Sequence, residues 1–161
     1  CVTCVMEGVR PVLAEIQALV VPSSLGNPRR VSNGFEYNRT MLLLVVLEKR
    51  GGLLLGNCDS YLNVIGGLTL DEPAADLAVV LAMASSFWDR PVPHYLAAIG
   101  EVGLTGELRA VSALGQRLSE VQRLGFTKCL IPKRVQGKLI APEGLELIRV
   151  SSIREALATL L

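Results

Sequence analysis

Hydrophobic and polar residues alternate along the first part of the chain. The apolar residues of "VLAEIQALVV" share one face of an extended segment: Val12, Ala14, Ile16, Ala18 and Val20. Glu15 and Gln17 fall on the other face. This period of two predicts β-strands, and the polar break at Glu7-Gly8 predicts that residues 1 to 21 form an antiparallel hairpin. "PSSLGNPRR" has the composition of a turn, and "RRVSNG" could add a third short strand.

A helical pattern begins at residue 37. "YNRTMLLLVVLEKR", residues 37 to 50, predicts a helix that Asn38 caps and Gly51-Gly52 ends. Its middle is apolar all round, which predicts burial on every side. A second helix is predicted to run to about Trp88, capped by Asp71 with Pro73 in its first turn. Two more are predicted, from about Ala113 to Leu124 and over "SIREALATLL", where Ser151 or Ser152 is the cap.

Short apolar segments separate these helices. "SYLNVIGG", "KCLIP" and "LELIRV" predict strands, the last two of them buried, and "YLAAIGEVGLTGELRAV" predicts two strand segments joined near residues 103 to 106. A β-rich beginning followed by helices alternating with strands predicts an α+β fold. The length of 161 residues predicts one domain, residues 1–161, with no repeat or internal linker.

Composition and charge exclude several classes of protein. Half of the residues are hydrophobic, which excludes a disordered chain, and a net charge of +1 gives no general basic field for nucleic acid. The longest apolar run, Met41 to Leu47, is far shorter than the roughly 20 residues of a membrane span, so no membrane association is predicted. With no signal peptide visible, we expect a cytoplasmic protein. The chain begins in a predicted strand without Met, so we expect a domain of something longer.

Cysteine and histidine residues predict no metal or catalytic site. Cys1 and Cys4 form a C-x-x-C, but on a strand these positions point to opposite faces and cannot share one metal ion. Cys58 and Cys129 stand alone, so the thiols are expected to be buried or incidental. His94 lies in a proline-flanked loop without an obvious partner. No phosphate-binding loop is present, and no cofactor is predicted for this chain.

Two motifs resemble those of the proteolytic domain of Lon-type ATP-dependent proteases. "DEPAAD", residues 71 to 76, matches the D-G-P-S-A-G motif of that family, with Ala74 at the serine position and Asp76 at the second glycine position. "GEVGLTG", residues 100 to 106, matches its G-E-x-x-L-x-G motif. The lysine position then falls on Arg117, at the same interval after the serine position as in the active family. The resemblance implies the two-layer Lon fold.

The two substitutions predict a catalytically degenerate protease. A Ser-Lys dyad needs a hydroxyl to attack the carbonyl and a neutral amine to accept its proton. Alanine has no nucleophile, and arginine stays protonated at neutral pH. Ser85 and Ser86 lie about 16 Å further along the predicted helix, and Ser112 has no lysine nearby in sequence. Arg117 could instead pair with Glu101 or Asp76. A peptidase with an unrecognised nucleophile remains an alternative.

Within the Lon-like group, the whole chain resembles the C-terminal domain of the RadA (Sms) family of bacterial DNA repair proteins. The stretches that carry the resemblance include "MEGVRPVLAEIQALV", "GNPRRVSNGFEYNR", "LLLVVLEKRGGLLL", "LNVIGGLTLDEPAADLA" and "IPKR". The resemblance implies a zinc finger and a RecA-like ATPase outside this chain, so that zinc, ATP and magnesium belong to those domains. It also implies a hexameric, DNA-dependent ATPase and helicase that promotes branch migration in homologous recombination.

This resemblance implies a scaffold for the ring and a surface for single-stranded or branched DNA. The candidate cations lie on loops and helix ends: Arg29, Arg30, Arg39, Arg50, Lys133, Arg134 and Lys138. Basic side chains on loops can contact phosphates without reading sequence. The same residues could equally form solvated faces and salt bridges. A third possibility is a protein-interaction module without DNA contact, which could bind the recombinase filament.

Overall fold

The structure is a computed structural model that describes residues 1–24 and 26–161; Leu25, in the predicted turn, lies outside the described residues. The strands are β1 (Val2–Glu7), β2 (Arg10–Pro22), β3 (Arg30–Asn33), β4 (Cys58–Val64), β5 (Leu96–Ala98), β6 (Glu101–Val102), β7 (Leu108–Arg109), β8 (Lys128–Pro132) and β9 (Glu146–Val150). The helices are α1 (Tyr37–Gly51), α2 (Asp76–Trp88), α3 (Leu114–Arg123) and α4 (Ile153–Ala158).

Most of the strands form one mixed sheet. Among the described residues, the order is β3-β4-β2-β1-β5-β8-β9, and the pairs β3-β4, β1-β5, β5-β8 and β8-β9 are parallel. The first half of β2 pairs with β1 as the predicted antiparallel hairpin, and its second half pairs with β4 from Ile16 opposite Val64 to Pro22 opposite Cys58. The predicted α+β class and third short strand are therefore confirmed.

Helices cover both faces of this sheet. Buried side chains of α1, α2 and α4 pack with Ile16, Leu62 and Leu130 in one cluster. On the other face, α3 contributes Leu118 to a second cluster. In α2 every residue from Asp76 to Ala84 is at most 5% exposed, and its alanines allow neighbouring elements to lie close against it. Asp76 is charged, whereas the other residues of this buried stretch are apolar.

The helix caps differ from those predicted. Helix α1 is capped at Glu36 rather than Asn38, and no side-chain hydrogen bond is made there. The predicted stop is confirmed, because Gly52 adopts a left-handed conformation (φ 80°) and its N–H binds the Leu47 carbonyl. Asp71 does not cap the next helix. The chain instead forms a short 3-10 turn, Pro73–Ala75, that leads directly into α2.

Two predictions of burial are also wrong. The outer side of α1 is not covered, and Val45 is 63% exposed. Strand β9 lies at an edge of the sheet and is only partly buried, because a single neighbour, β8, pairs with it. The segment "YLAAIGEVGLTGELRAV" forms three short strands rather than two, of which β6 and β7 pair as a small hairpin. For α4, Ser152 is the cap and accepts a hydrogen bond from the Glu155 N–H.

Within residues 1–24 and 26–161, no helix combines the length and the apolar character that crossing a bilayer requires.

Candidate functional site

The two sequence motifs lie side by side in the structure. Ala74, at the serine position, is buried in the 3-10 turn before α2. Its carbonyl accepts a hydrogen bond from the Gly100 N–H at 2.9 Å, and the Gly100 carbonyl accepts one from the Leu77 N–H at 3.1 Å. Segment 71–76 is thus fixed against the segment that follows β5, and the side chain at the serine position is a methyl group.

Arg117, at the lysine position, is a buried cation on α3. The residue is 1% exposed, and its guanidinium reaches three different segments. Nε donates to the Ser112 carbonyl at 2.8 Å, and one terminal nitrogen donates to the Cys4 carbonyl on β1 at 3.0 Å. The same nitrogen forms an ion pair with the carboxylate of Glu72. The predicted partners, Glu101 and Asp76, are therefore wrong.

Glu72 completes this arrangement from the other side. Its Oε1 pairs with Arg117, and its Oε2 accepts a hydrogen bond from the Met6 N–H of β1 at 3.3 Å. Glu72 stands at the first glycine position of the D-G-P-S-A-G motif, which means that an acid has entered where the motif has no side chain. That departure from the motif is the sequence signal that could have identified this residue.

A second ion pair lies on the α1 side of the same segment. Asp76, at the second glycine position, is fully buried and binds the guanidinium of Arg39 through both carboxylate oxygens. Its Oδ2 also accepts a hydrogen bond from the Val102 N–H at 3.0 Å. Burial raises the pKa of the Asp76 carboxyl, and the hydrogen bonds from Arg39 and Val102 oppose that rise. Arg39 additionally donates to the Val102 carbonyl at 3.1 Å.

The arrangement cannot perform the Ser-Lys reaction. Ala74 offers no nucleophile, and the guanidinium of Arg117 is cationic and bound to a carboxylate. The hydroxyls of α2 are used elsewhere: Ser86 Oγ accepts from the Val20 N–H at 2.9 Å, and Ser85 Oγ donates to the Arg90 carbonyl at 2.5 Å. His94 is exposed and packs edge-on against the ring of Tyr95.

The four cysteines are free thiols. Cys4 belongs to the α3-side cluster, and Cys1 packs against the cluster on the opposite face, as their strand positions predict. Burial raises the pKa of Cys4 to about 11 and raises that of Cys129 further. Among the described residues, no three His, Cys, Asp or Glu side chains are grouped in a way that could hold a metal ion.

A known protein family matches the part of the chain that contains these two motifs. Residues 60–161 match the family "Lon protease (S16) C-terminal proteolytic domain". The chain belongs to this family. Within it, Ala74 and Arg117 mark a Lon-type domain whose dyad positions hold neither serine nor lysine.

The chain is also similar to curated proteins named "DNA repair protein RadA". It is 53% identical to the one from Bacillus subtilis (strain 168), over 98% of this chain and 34% of that protein. It is 49% identical to the one from Streptococcus pneumoniae (strain R6), over 94% of this chain and 36% of that protein. It is also 49% identical to the one from Listeria monocytogenes, over 94% of this chain and 33% of that protein. The chain spans about a third of the length of these relatives.

Three of the candidate DNA-contact residues of this Lon-type domain donate side-chain hydrogen bonds within the fold. Arg39 is held by Asp76, as described above. Arg30 donates to the Ser60 hydroxyl and to the Leu55 carbonyl, each at 3.2 Å. Arg50 Nε donates to the Leu104 carbonyl at 3.4 Å. The fold therefore uses part of the hydrogen-bonding capacity of these three guanidinium groups.

The remaining candidate cations are exposed. Arg29 directs its backbone N–H to Asp59 Oδ1 at 2.7 Å, and its side chain is exposed. Lys133 and Arg134 line an open groove of about 960 Å³ together with Arg109, which the sequence analysis did not include. The acids Glu101 and Glu107 line the same groove, and Glu107 pairs with Arg109 at 3.7 Å. Lys138 lies in a separate groove beside Leu139 and Ile140.

The two basic loops do not form one patch. Arg29 precedes β3 at one edge of the sheet, whereas Lys133 follows β8, five strand positions away. At about 4.8 Å per strand this is about 24 Å along the sheet. Strands β3 and β8 run in the same direction, so the loops also lie at opposite ends of their strands.

Proposed function

We propose that this chain is a non-proteolytic scaffold and DNA-contact domain of a RadA-type DNA repair ATPase that acts in homologous recombination and branch migration. The observation that carries the proposal is Arg117, which stands at the lysine position and is buried in an ion pair with Glu72. The similarity to proteins named for DNA repair supports the biological setting. In this proposal the whole protein is cytoplasmic and assembles as a hexameric ring, and ATP, magnesium and zinc bind to other domains.

The non-proteolytic part follows from the chemistry at two positions. No hydroxyl is available at Ala74, and a protonated guanidinium at Arg117 cannot accept the proton of an attacking group. Labelling with a serine-reactive fluorophosphonate tests this directly, with an active Lon protease as positive control. We expect no labelled serine and no cleavage of casein. Labelling of one serine that is blocked by unfolding the chain would show an unrecognised nucleophile and contradict the proposal.

The DNA-contact part relies on exposed cations at two loops. Arg29 lies beside the edge strand β3, and Lys133 and Arg134 border the groove that also contains Arg109. Loop cations of this kind contact phosphates and position a nucleic acid without reading its bases. Because the loops lie at opposite corners of the sheet, a short oligonucleotide would engage one loop at a time.

Charge reversal at single positions tests this contact. Arg134→Glu is expected to weaken binding to a duplex oligonucleotide and to reduce the salt slope of the affinity by about one. Arg90→Glu is the matched control, because Arg90 is exposed in the loop after α2 and does not line the groove of Lys133 and Arg134, so the variant makes the same charge change outside that groove. Fluorescence anisotropy over a range of salt concentrations measures both quantities. An affinity that ignores salt, or equal losses in the two variants, would contradict DNA contact at this groove.

A second candidate function is a protein-interaction or oligomerisation module without DNA contact. The observation that favours it is that Arg30 and Arg39 donate to groups within the fold. Under this alternative, Arg29→Glu and Arg134→Glu leave DNA-stimulated activity of the full-length protein unchanged. Binding of the recombinase filament would then be the activity to measure.

A further inference from the structure

Strand β9 leaves one edge of the sheet open. It pairs with β8 in parallel register over all five of its residues, and no other described strand pairs with it. The Glu146 N–H donates to the carbonyl just before β8 at 2.9 Å, and the Val150 carbonyl accepts from the N–H just after β8 at 2.8 Å. Alternate residues of a parallel strand direct their main-chain groups to opposite sides. Leu147 and Arg149 therefore direct their N–H and C=O groups to the open edge.

These outward main-chain groups form a short template for hydrogen bonds. Leu147 and Arg149 each supply one donor and one acceptor, and the described residues provide a partner for none of these groups. The template ends at Ser151, whose N–H donates to Glu155 Oε2 at 3.2 Å and whose carbonyl accepts from the Leu108 N–H at 3.0 Å. Proline, lysine and bulges often protect an open edge from pairing, and β9 contains none of them. The edge is thus free to accept another strand.

An extended polypeptide matches these groups. Its main chain alternates donors and acceptors at the spacing of a strand, whereas the backbone of a DNA strand carries no donor for the two outward carbonyls. The side chains of β9 agree with this occupant. Leu147 packs partly against the α3-side cluster and Ile148 partly against the cluster on the opposite face, and both remain half-buried. A strand added beside them would shield each with an apolar residue of its own.

The end of β9 favours an acidic residue in that added strand. Arg149 is exposed and forms no ion pair among the described residues. The loop after β8 and helix α4 place three more exposed cations and one acid near this end: Lys133, Arg134, Arg154 and Glu155. The two acids of the β6–β7 hairpin lie beside Arg109 instead. At the start of β9, Glu146 has Lys128 as its cross-strand neighbour, so the excess charge of the edge is positive and lies at Arg149.

We propose that β9 binds an extended segment of a partner protein, which adds to the sheet beside Leu147 and Arg149. The segment carries two adjacent apolar residues, one next to Leu147 and one next to Ile148, and an acidic residue that lies beside Arg149. In this mode of recognition, main-chain hydrogen bonds provide the affinity and the flanking side chains provide the specificity. The inference does not depend on DNA contact or on the scaffold role proposed above.

A short peptide with this pattern is the probe. Acetyl-Thr-Glu-Val-Val-Thr-amide carries the acidic residue and the two apolar residues. The same peptide with both valines N-methylated is its matched control, because it keeps the side chains but cannot donate hydrogen bonds from these residues. NMR titration of this chain follows each amide. We expect the probe to shift the amide resonances of Leu147 and Arg149 and to slow their hydrogen exchange, while the N-methylated peptide leaves both unchanged.

Two variants at one position separate main-chain pairing from charge. Arg149→Pro removes an N–H that faces the open edge and leaves the bonds to β8 in place, so the dissociation constant of the probe is expected to rise roughly fivefold. Arg149→Glu is expected to raise it about threefold or more and to make a probe with lysine in place of glutamate the better ligand. Arg10→Glu is the charge control, because Arg10 is exposed on β2, four strand positions from β9. The urea midpoint of each variant verifies that it is folded.

Four results would overturn this inference. The first three are resonance changes confined to residues outside β9, equal binding of the N-methylated peptide, and unchanged binding of the probe to Arg149→Glu. The fourth is a concentration-dependent shift of the Leu147 and Arg149 amides without peptide, because it would show that a second copy of this chain occupies the edge. Each of these results leaves the proposed function standing, since none of them measures DNA contact or proteolysis.

Discussion

Charged side chains occupy three positions of the Lon-type motifs in this chain. Where an active Lon-type domain has small or catalytic residues, this chain has Glu72, Asp76 and Arg117, and each of these side chains is ion-paired. A buried charge without a partner is strongly destabilising, so each carboxylate requires its arginine and each arginine its carboxylate. The charged residues at these motif positions are thus mutually dependent structural residues.

Two buried threonines give a matched test at this scale. The hydroxyl of Thr3 has no hydrogen-bond partner among the described residues, whereas that of Thr40 bonds the Glu36 carbonyl at 3.0 Å and the Ser32 hydroxyl at 2.8 Å. Thr3→Val is expected to raise the free energy of unfolding by about 1 kcal/mol, because it removes an unsatisfied polar group. Thr40→Val is expected to lower it by about 1 to 2 kcal/mol. Urea unfolding measures both, and equal effects would contradict the hydrogen-bond assignment.

At the site, the sequence could predict positions but not contacts. The motifs locate Ala74 and Arg117 because each motif is a short continuous stretch. The partner of Arg117 is separated from it by 45 residues, and the contact arises only when α3 packs across β1. Several acids were available within the same motifs, and the sequence alone favoured none of them, which is why Glu101 and Asp76 were the wrong partners.

At the scale of elements, hydrophobic periodicity predicted the strands and helices better than capping residues predicted where the helices begin. The alternation in β2 gave the correct hairpin because one face of the strand packs into the cluster that contains α2. The cap predictions at Asn38 and Asp71 were wrong because each residue lies within a turn of another possible start: α1 is capped at Glu36, and the 3-10 turn Pro73–Ala75 leads into α2. The exposed side of α1 could not be predicted, because an apolar pattern does not state which surfaces are covered.

The connection between β3 and α1 supplies a prediction for one element junction. Gly34 has φ +84°, and a Cβ there would lie 2.5 Å from the Leu68 carbonyl oxygen and 2.7 Å from Val64 Cβ. Gly34→Ala is expected to lower the free energy of unfolding by about 3 kcal/mol, because backbone strain and a clash act together. Gly8→Ala is the control, because Gly8 also has a positive φ (+63°) but nothing within 4 Å. Its cost should be about 1 kcal/mol. Equal costs in urea unfolding would contradict the close contact at Gly34.

At the scale of the whole molecule, two ion pairs hold one segment from both sides. Arg117 links segment 71–76 to α3 and β1, and Arg39 links it to α1 and to the β6 strand. The segment that would present a nucleophile in an active protease therefore joins the layers on the two faces of the sheet.

The Glu72–Arg117 pair is the most direct test of this account. In a double-mutant cycle with Glu72→Gln and Arg117→Met, urea unfolding gives the coupling free energy between the two side chains. We expect each single variant to lower the free energy of unfolding by about 3 kcal/mol, because it leaves the buried Arg117 guanidinium or the partly buried Glu72 carboxylate without its ion-pair partner. The double variant should lower the free energy of unfolding by much less than the sum of the two single losses, with a coupling free energy of about 2 kcal/mol or more. A coupling below about 0.5 kcal/mol would contradict the claim that this ion pair has replaced the catalytic dyad as a structural element.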